Sequence, residues 1–151
     1  MDSLGRDFEP VAGDCSQADA RYNNQFIGVR DFAGKGRGVI ALCDITPGMT
    51  LERCPVLIVP ERDRAHTDPT VIFTYVYMWE HGTTEQNLYD GIGRAAIALG
   101  LSSLLNHSYT ANATFIRHID HLELELRSNR AISAGEEITI DYQMKLWFEL
   151  T

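Results

Sequence analysis

Between Leu122 and Arg127 the apolar and charged residues take turns, with Leu122, Leu124 and Leu126 alternating with Glu123, Glu125 and Arg127. A period of two belongs to a strand with one face in a core and the other in water, and it predicts pairing with Phe115–Ile119 across a turn at Asp120-His121. Earlier in the chain the runs are shorter. Phe26–Arg30 and Val39–Leu42 are β-prone and flank Gly34-Lys35-Gly36-Arg37-Gly38, a turn by composition, so they predict a first hairpin. Asp44-Ile45-Thr46-Pro47-Gly48 marks the next reversal, and Leu51–Val59 follows as an extended segment in which Pro55 suggests an edge or a bulge. Residues 60–70, rich in charge and holding Pro60 and Pro69, read as a surface loop. Val71–Trp79 mixes β-branched and aromatic residues and suits a strand or a short helix, with the strand favoured. Ala95–Leu105 predicts a buried strand and then a short helical turn that breaks at Asn106. Ser133-Ala134-Gly135 turns into a last strand, Ile138–Ile140. The expected fold is mainly β, built of short strands with little helix, which taken alone suggests a sandwich or barrel. Residues 1–22 are polar and aperiodic and are expected to form an arm ahead of one domain over 23–151.

Composition narrows the function classes. A chain of 151 residues with 44% hydrophobic and 23% charged residues has the size and balance of a single globular domain that needs no disulfide or metal staple. The formal net charge of -8 argues against direct binding to a nucleic-acid backbone and favours a basic partner. Cys15, Cys43 and Cys54 are odd in number and lack zinc-site spacing, so reduced thiols are expected. Asp2, Arg6, Asp7 and Glu9 leave no apolar core for a signal peptide, and no run reaches membrane-spanning length. The expectation is a cytoplasmic protein with no membrane contact, in which the sequons Asn106-His107-Ser108 and Asn112-Ala113-Thr114 are coincidental.

Three separated segments carry chemistry. Gly34-Lys35-Gly36-Arg37-Gly38-Val39 alone reads as a glycine hairpin, and it lacks the spacing of a phosphate loop. Leu104-Leu105-Asn106-His107-Ser108, with Asn112 beyond it, offers amide, ring-nitrogen and backbone groups in a short turn, and alone is equally compatible with a capping Asn and a core His. The third is Gly135-Glu136-Glu137-Ile138-Thr139-Ile140-Asp141-Tyr142. In this order, with the Asp-Ile-x-x-Gly turn at 44–48 between the first two, they resemble the motifs of SET-domain protein-lysine methyltransferases across roughly residues 26–143, in the minimal form known from bacteria and viruses.

The resemblance implies a fold of several short sheets with a knot-like C-terminal threading, and methyl transfer from S-adenosylmethionine to a protein lysine. It implies that Lys35, Gly36, Arg37 and Gly38 approach the cofactor's methionyl group, glycines being needed where backbone must come close. Asn106 and His107 are implied as cofactor-binding and Tyr142 as catalytic. It makes residues of about 60–95 a variable insert, whose Tyr75 and Tyr77, with Trp79, are candidate walls of the substrate channel. Ile140 is implied in that channel too, and Trp147 and Phe148 in the 143–151 segment that closes it. An aromatic commonly stands at the Ile140 position, so the resemblance implies room for more than one methyl on the lysine. Ala111 departs from the usual proline, which loosens a turn without removing a ligand. No metal is implied: the cysteine-rich zinc segment of many relatives is absent, and His118 and His121, without further ligands, are expected in solvent. The alternative is a SET fold without turnover that recognises a basic protein tail, against which stand the retained Asn106, His107 and Tyr142.

Overall fold

The computed structural model describes residues 21–79 and 90–142, which form two five-stranded sheets. The strands are β1 (Arg21–Asn23), β2 (Ile27–Phe32), β3 (Gly36–Ala41), β4 (Thr50–Val59), β5 (Val76–Met78), β6 (Ala95–Ala98), β7 (Asn106–His107), β8 (Ala113–His118), β9 (Glu123–Ser128) and β10 (Glu137–Ile140). Their spatial orders are β1-β2-β3-β10-β7 and β5-β6-β4-β9-β8. The expected hairpin is there, from Ile27 opposite Ala41 to Phe32 opposite Gly36. In the same sheet β10 runs antiparallel to β3 and parallel to β7, so Thr139 faces Asn106 and Ile140 faces His107. All three motifs thereby become neighbours through backbone pairing, with β10 between the other two.

Apolar positions collect into two cores. Ile27, Val39, Leu51, Leu126, Ile138 and Ile140 belong to the first, and Cys54, Val56, Trp79, Ala96 and Leu124 to the second. Tyr77 and Phe115 pack against both and meet edge to face with ring centroids 5.0 Å apart.

Several expectations needed correction. Pro55 lies on the central strand of its sheet, and no bulge falls on it; the register slip of β4 lies between Thr50 and Glu52. The proline is tolerated because β6 pairing starts at Val56, and beyond it the Pro55 carbonyl still accepts from the Leu99 N–H at 2.9 Å. The segment read as a loop contains a 3-10 turn, Glu61–Asp63, and a helical turn, Arg64–Thr67. Arg64 is wholly buried there, its guanidinium donating to the Ile92 and Gly93 carbonyls and pairing with Asp68 at 3.2 Å. Val71–Tyr75 is a 3-10 turn, and only Val76–Met78 is strand. On β9 the alternation holds for Leu124 and Leu126, but Leu122 is 44% exposed in a left-handed conformation that closes the turn Ile119–His121. Glu125 is buried as well: its carboxylate accepts from Thr50 Oγ1 at 2.6 Å and Arg127 Nη2 at 2.8 Å, and meets the His118 ring at 2.8 Å. The Thr50 hydrogen bond first, then those of His118 and Arg127, outweigh burial and hold the carboxyl down at about 2. His118 is therefore a partner of a buried carboxylate, whereas His121 is exposed as expected.

Candidate functional site

The glycine turn ends where β3 begins, and its two later glycines serve different needs. Gly36 has φ +76°, a conformation that side chains resist, with open space where its Cβ would be. At Gly38 the limit is contact: a Cβ would lie 2.7 Å from Asn106 Nδ2 and from the Phe32 ring. The Asn106 amide lies against the Gly38 backbone, donating to the Arg37 carbonyl at 3.3 Å and to Glu137 Oε2 at 2.8 Å. The other oxygen of Glu137 pairs with Lys35 Nζ at 3.0 Å. One carboxylate from β10 thus binds the first motif to the second.

Tyr142 stands two residues beyond β10. Its backbone N–H donates to His107 Nδ1 at 2.8 Å, so that nitrogen is unprotonated and the ring proton sits on Nε2, which is buried without a hydrogen-bond partner. Burial lowers the His107 pKa, and Asp141 at 3.8 Å offsets part of that. The Tyr142 hydroxyl donates to the Leu105 carbonyl at 2.5 Å. Burial, and secondarily the charge of Glu137, push its phenol up to about 12. Asn112 fixes the strand ahead of it, donating to the Glu137 carbonyl at 2.8 Å and accepting from the Thr139 N–H at 2.9 Å.

A cavity of about 430 Å³ opens among these groups, lined by Lys35, Gly36, Arg37, Thr74, Tyr75, Ser103, Leu104, Leu105, Asn106 and Tyr142. Residues of all three motifs share it. Tyr75, expected on the substrate side, lines this cavity, with its hydroxyl 3.5 Å from Arg37 Nη2. Tyr77 packs between the two cores and donates to the Ser102 carbonyl at 2.7 Å; burial drives its phenol well above the ordinary range. Ile140 and Trp79 are wholly buried core residues, so neither is a cavity wall, because β10 and the end of β5 turn those side chains inward. Trp147 and Phe148 lie outside the described residues. Sequence reasoning named neither Glu137 nor the Leu105 carbonyl as part of the site. Glu137 stood inside a quoted motif beside a lysine-bearing turn, a signal that could have found it, whereas a backbone carbonyl leaves no mark in a side-chain pattern.

This arrangement defines a SET domain: residues 36–143 match that family, and the chain belongs to it as a lysine methyltransferase. The chain is 32% identical over 122 residues to the Schizosaccharomyces pombe histone-lysine N-methyltransferase specific for H3 lysine-37, covering 80% of this chain and 76% of that one. Among solved structures, a presumed histone methyltransferase of Plasmodium falciparum superposes with a TM-score of 0.58 at 21% identity, over 83% of this chain and all of that one. The Neurospora SET domain protein DIM-5, a histone lysine methyltransferase, gives 0.56 at 22% identity over 83% of this chain and 54% of that one. At such identities the two structures bear on the fold, which they share with this chain.

Proposed function

We propose that the cavity binds S-adenosylmethionine and that the enzyme methylates a lysine side chain of a basic protein. The observation that carries this is the convergence of Lys35 to Arg37, Asn106 and Tyr142 on one cavity of about 430 Å³, within the usual size of a cofactor site. The donor set fits the group. The cavity offers the cationic side chains of Lys35 and Arg37 for a carboxylate, the Asn106 amide, and open backbone at Gly36. When bound, S-adenosylmethionine supplies an electrophilic methyl on a sulfonium.

The protein's share is alignment and desolvation. Lys35 and Arg37 orient the methionyl end, Asn106 holds the rest from β7, and His107, buried behind it, holds the Tyr142 backbone in place. The Tyr142 hydroxyl proton is already given to Leu105, so the lone pairs on the phenol oxygen remain to orient the reacting groups through weak C–H contacts. A phenol with a pKa of about 12 and a committed proton is a poor base, so the lysine reacts after losing its proton to solvent. Starting from a solution pKa near 10.4, a neutral lysine at pH 7 costs about 4.6 kcal/mol, which a water-poor channel reduces by disfavouring the ammonium.

The formal charge of -8 favours a basic partner, and a histone is the first to try because the yeast relative is named for one. A reducing, cytoplasmic setting stays part of this proposal, in keeping with an odd number of cysteines, of which Cys43 and Cys54 are buried. The test is incubation with methyl-labelled cofactor and a panel of basic proteins, read by mass spectrometry. Methyl-lysine on one of them is expected. Stoichiometric cofactor binding with no transfer to any protein would instead favour a module without turnover, and absence of binding at millimolar cofactor would overturn both.

A further inference from the structure

The carbonyl that takes the Tyr142 proton belongs to Leu105, the residue closing the 3-10 turn Leu101–Leu104. That turn is anchored from the other sheet. Glu52 lies on β4 where the register with β9 slips, and its carboxylate accepts from the Leu101 N–H at 2.9 Å, the Ser102 N–H at 2.8 Å and Ser102 Oγ at 2.7 Å. Ser102 is buried, and its own carbonyl accepts the Tyr77 hydroxyl. Gly100 permits the approach, since a Cβ there would stand 2.9 Å from Glu52 Oε1 and from Cys54 Cβ. The Cys54 thiol lies against the same carboxylate, and burial, then the Glu52 charge, raise it to about 12.

A turn of four residues whose first two are gripped by one carboxylate, with Ser102 buried against it, has little freedom at its end. We propose that Glu52 is a positioning residue for methyl transfer: it fixes the turn, the turn fixes the Leu105 carbonyl, and the carbonyl fixes the Tyr142 hydroxyl. The end of the turn, Ser103 to Leu105, also lines the cavity, but the groups proposed to grip the cofactor are tied separately, through Lys35 just ahead of β3 and Asn106 and Glu137 on the first sheet. Loss of Glu52 therefore falls on turnover more than on cofactor binding.

This rests on the catalytic role given to Tyr142, and the experiment separates the two. Wild type, Glu52→Gln, Gly100→Ala and Arg53→Gln are compared on the full chain with the basic substrate found above. Glu52→Gln keeps one acceptor oxygen but turns an amide donor toward the backbone donors. Gly100→Ala pushes on the same carboxylate, with its new Cβ 2.9 Å from Glu52 Oε1. Arg53→Gln alters the exposed neighbour on the same strand. For Glu52→Gln and Gly100→Ala, kcat is expected to fall about tenfold or more, as for a small misplacement of a reacting group, with the cofactor KM changed less than about threefold. The ¹³Cζ resonance of Tyr142 should shift in both and stay in place in Arg53→Gln. If Glu52→Gln does not fold, Gly100→Ala carries the test. An unchanged kcat, or kcat and KM falling together in step with thermal stability as in Arg53→Gln, overturns the positioning role while leaving the methyltransferase assignment intact. An inactive wild type overturns both.

Discussion

Replacing Gly38 with alanine adds one methyl at the tightest point of the site. The new carbon would lie 2.7 Å from Asn106 Nδ2 on one side and from the Phe32 ring on the other, well inside contact distance. Neither neighbour yields freely. Phe32 is covered by the Arg30 guanidinium at 4.8 Å, and Asn106 is held by Glu137 and the Arg37 carbonyl. Overpacking of this kind costs about 1–3 kcal/mol. If Asn106 is the group that moves, a hydrogen bond to a charged acceptor goes with it, a loss of about 1.5–3 kcal/mol, or roughly ten- to a hundredfold in any binding that depends on that amide. The expected result is a fall in melting temperature of about 2–4 °C per kcal/mol for a chain of this size, together with that weakening of S-adenosylmethionine binding. Thermal denaturation and titration calorimetry measure the two separately. Gly48→Ala is the control: its φ of +79° makes alanine strained by about 1–2 kcal/mol, but nothing lies within 4 Å and no cavity residue is touched. It should lose stability and keep cofactor affinity. A folded Gly38→Ala protein that binds the cofactor as tightly as wild type would show that the contact between glycine backbone and Asn106 does not hold the cofactor.

Removing the hydroxyl in Tyr142→Phe should lower kcat by about tenfold or more and leave the cofactor dissociation constant within about twofold, and equal turnover would refute the role given to it. Because burial pushes the Tyr142 phenol up to about 12, log kcat/KM should climb with unit slope above pH 7 toward the substrate lysine's own pKa near 10.4; a plateau beginning near pH 7 would contradict this. Glu125 titrates near 4.5 unfolded and about 2 folded, so its stabilising contribution is complete above 4.5 and is lost as the pH falls through 2. That amounts to something on the order of 3 kcal/mol; denaturant titrations between those pH values should show the loss in wild type and not in Glu125→Gln. Ile140→Tyr must fit a ring into a fully buried position and should cost about 1–3 kcal/mol, read as a lower urea midpoint at unchanged slope.

How far the sequence could be read follows from the kind of signal each part leaves. Leu124 and Leu126 announced β9 because a half-buried strand imposes its period on side chains, and the glycines at 36 and 38 announced a special backbone, the first through its positive φ and the second because a Cβ would clash there. Gly100 satisfies a comparable constraint, yet it sits in an apolar run without a recognisable motif, so neither it nor Glu52 was singled out. Arg64 misled for the opposite reason: a charged residue between prolines looks solvated, and its burial is made tolerable by Asp68 together with the carbonyls of Ile92 and Gly93, which are distant in sequence. Tyr75 and Tyr77 are two residues apart and were assigned to one wall, but a 3-10 turn ends between them and sends one to the cavity and the other into the core. Local pattern carried the strands and the motif order. Which buried polar groups meet across the two sheets depended on tertiary contacts that no window of sequence contains.

The position of β10 between β3 and β7 bears on how the enzyme is made. A ribosome delivers this chain from its N-terminus at about 5–20 residues per second, so β2 and β3 pair as a local hairpin long before their sheet can be finished. Until residue 140 has emerged, the flank of β3 that will receive β10 is an open edge, the kind of surface that attracts other unfinished chains. Asn106 meanwhile waits without Glu137, and His107 without the backbone of Tyr142. Ligand cannot rescue the nascent protein during this interval, because the groups proposed to grip it converge only when β10 slots in. Assembly of the sheet and acquisition of the cofactor site are a single late event, governed by closure of the long loop between β3 and β10 rather than by formation of local hairpins.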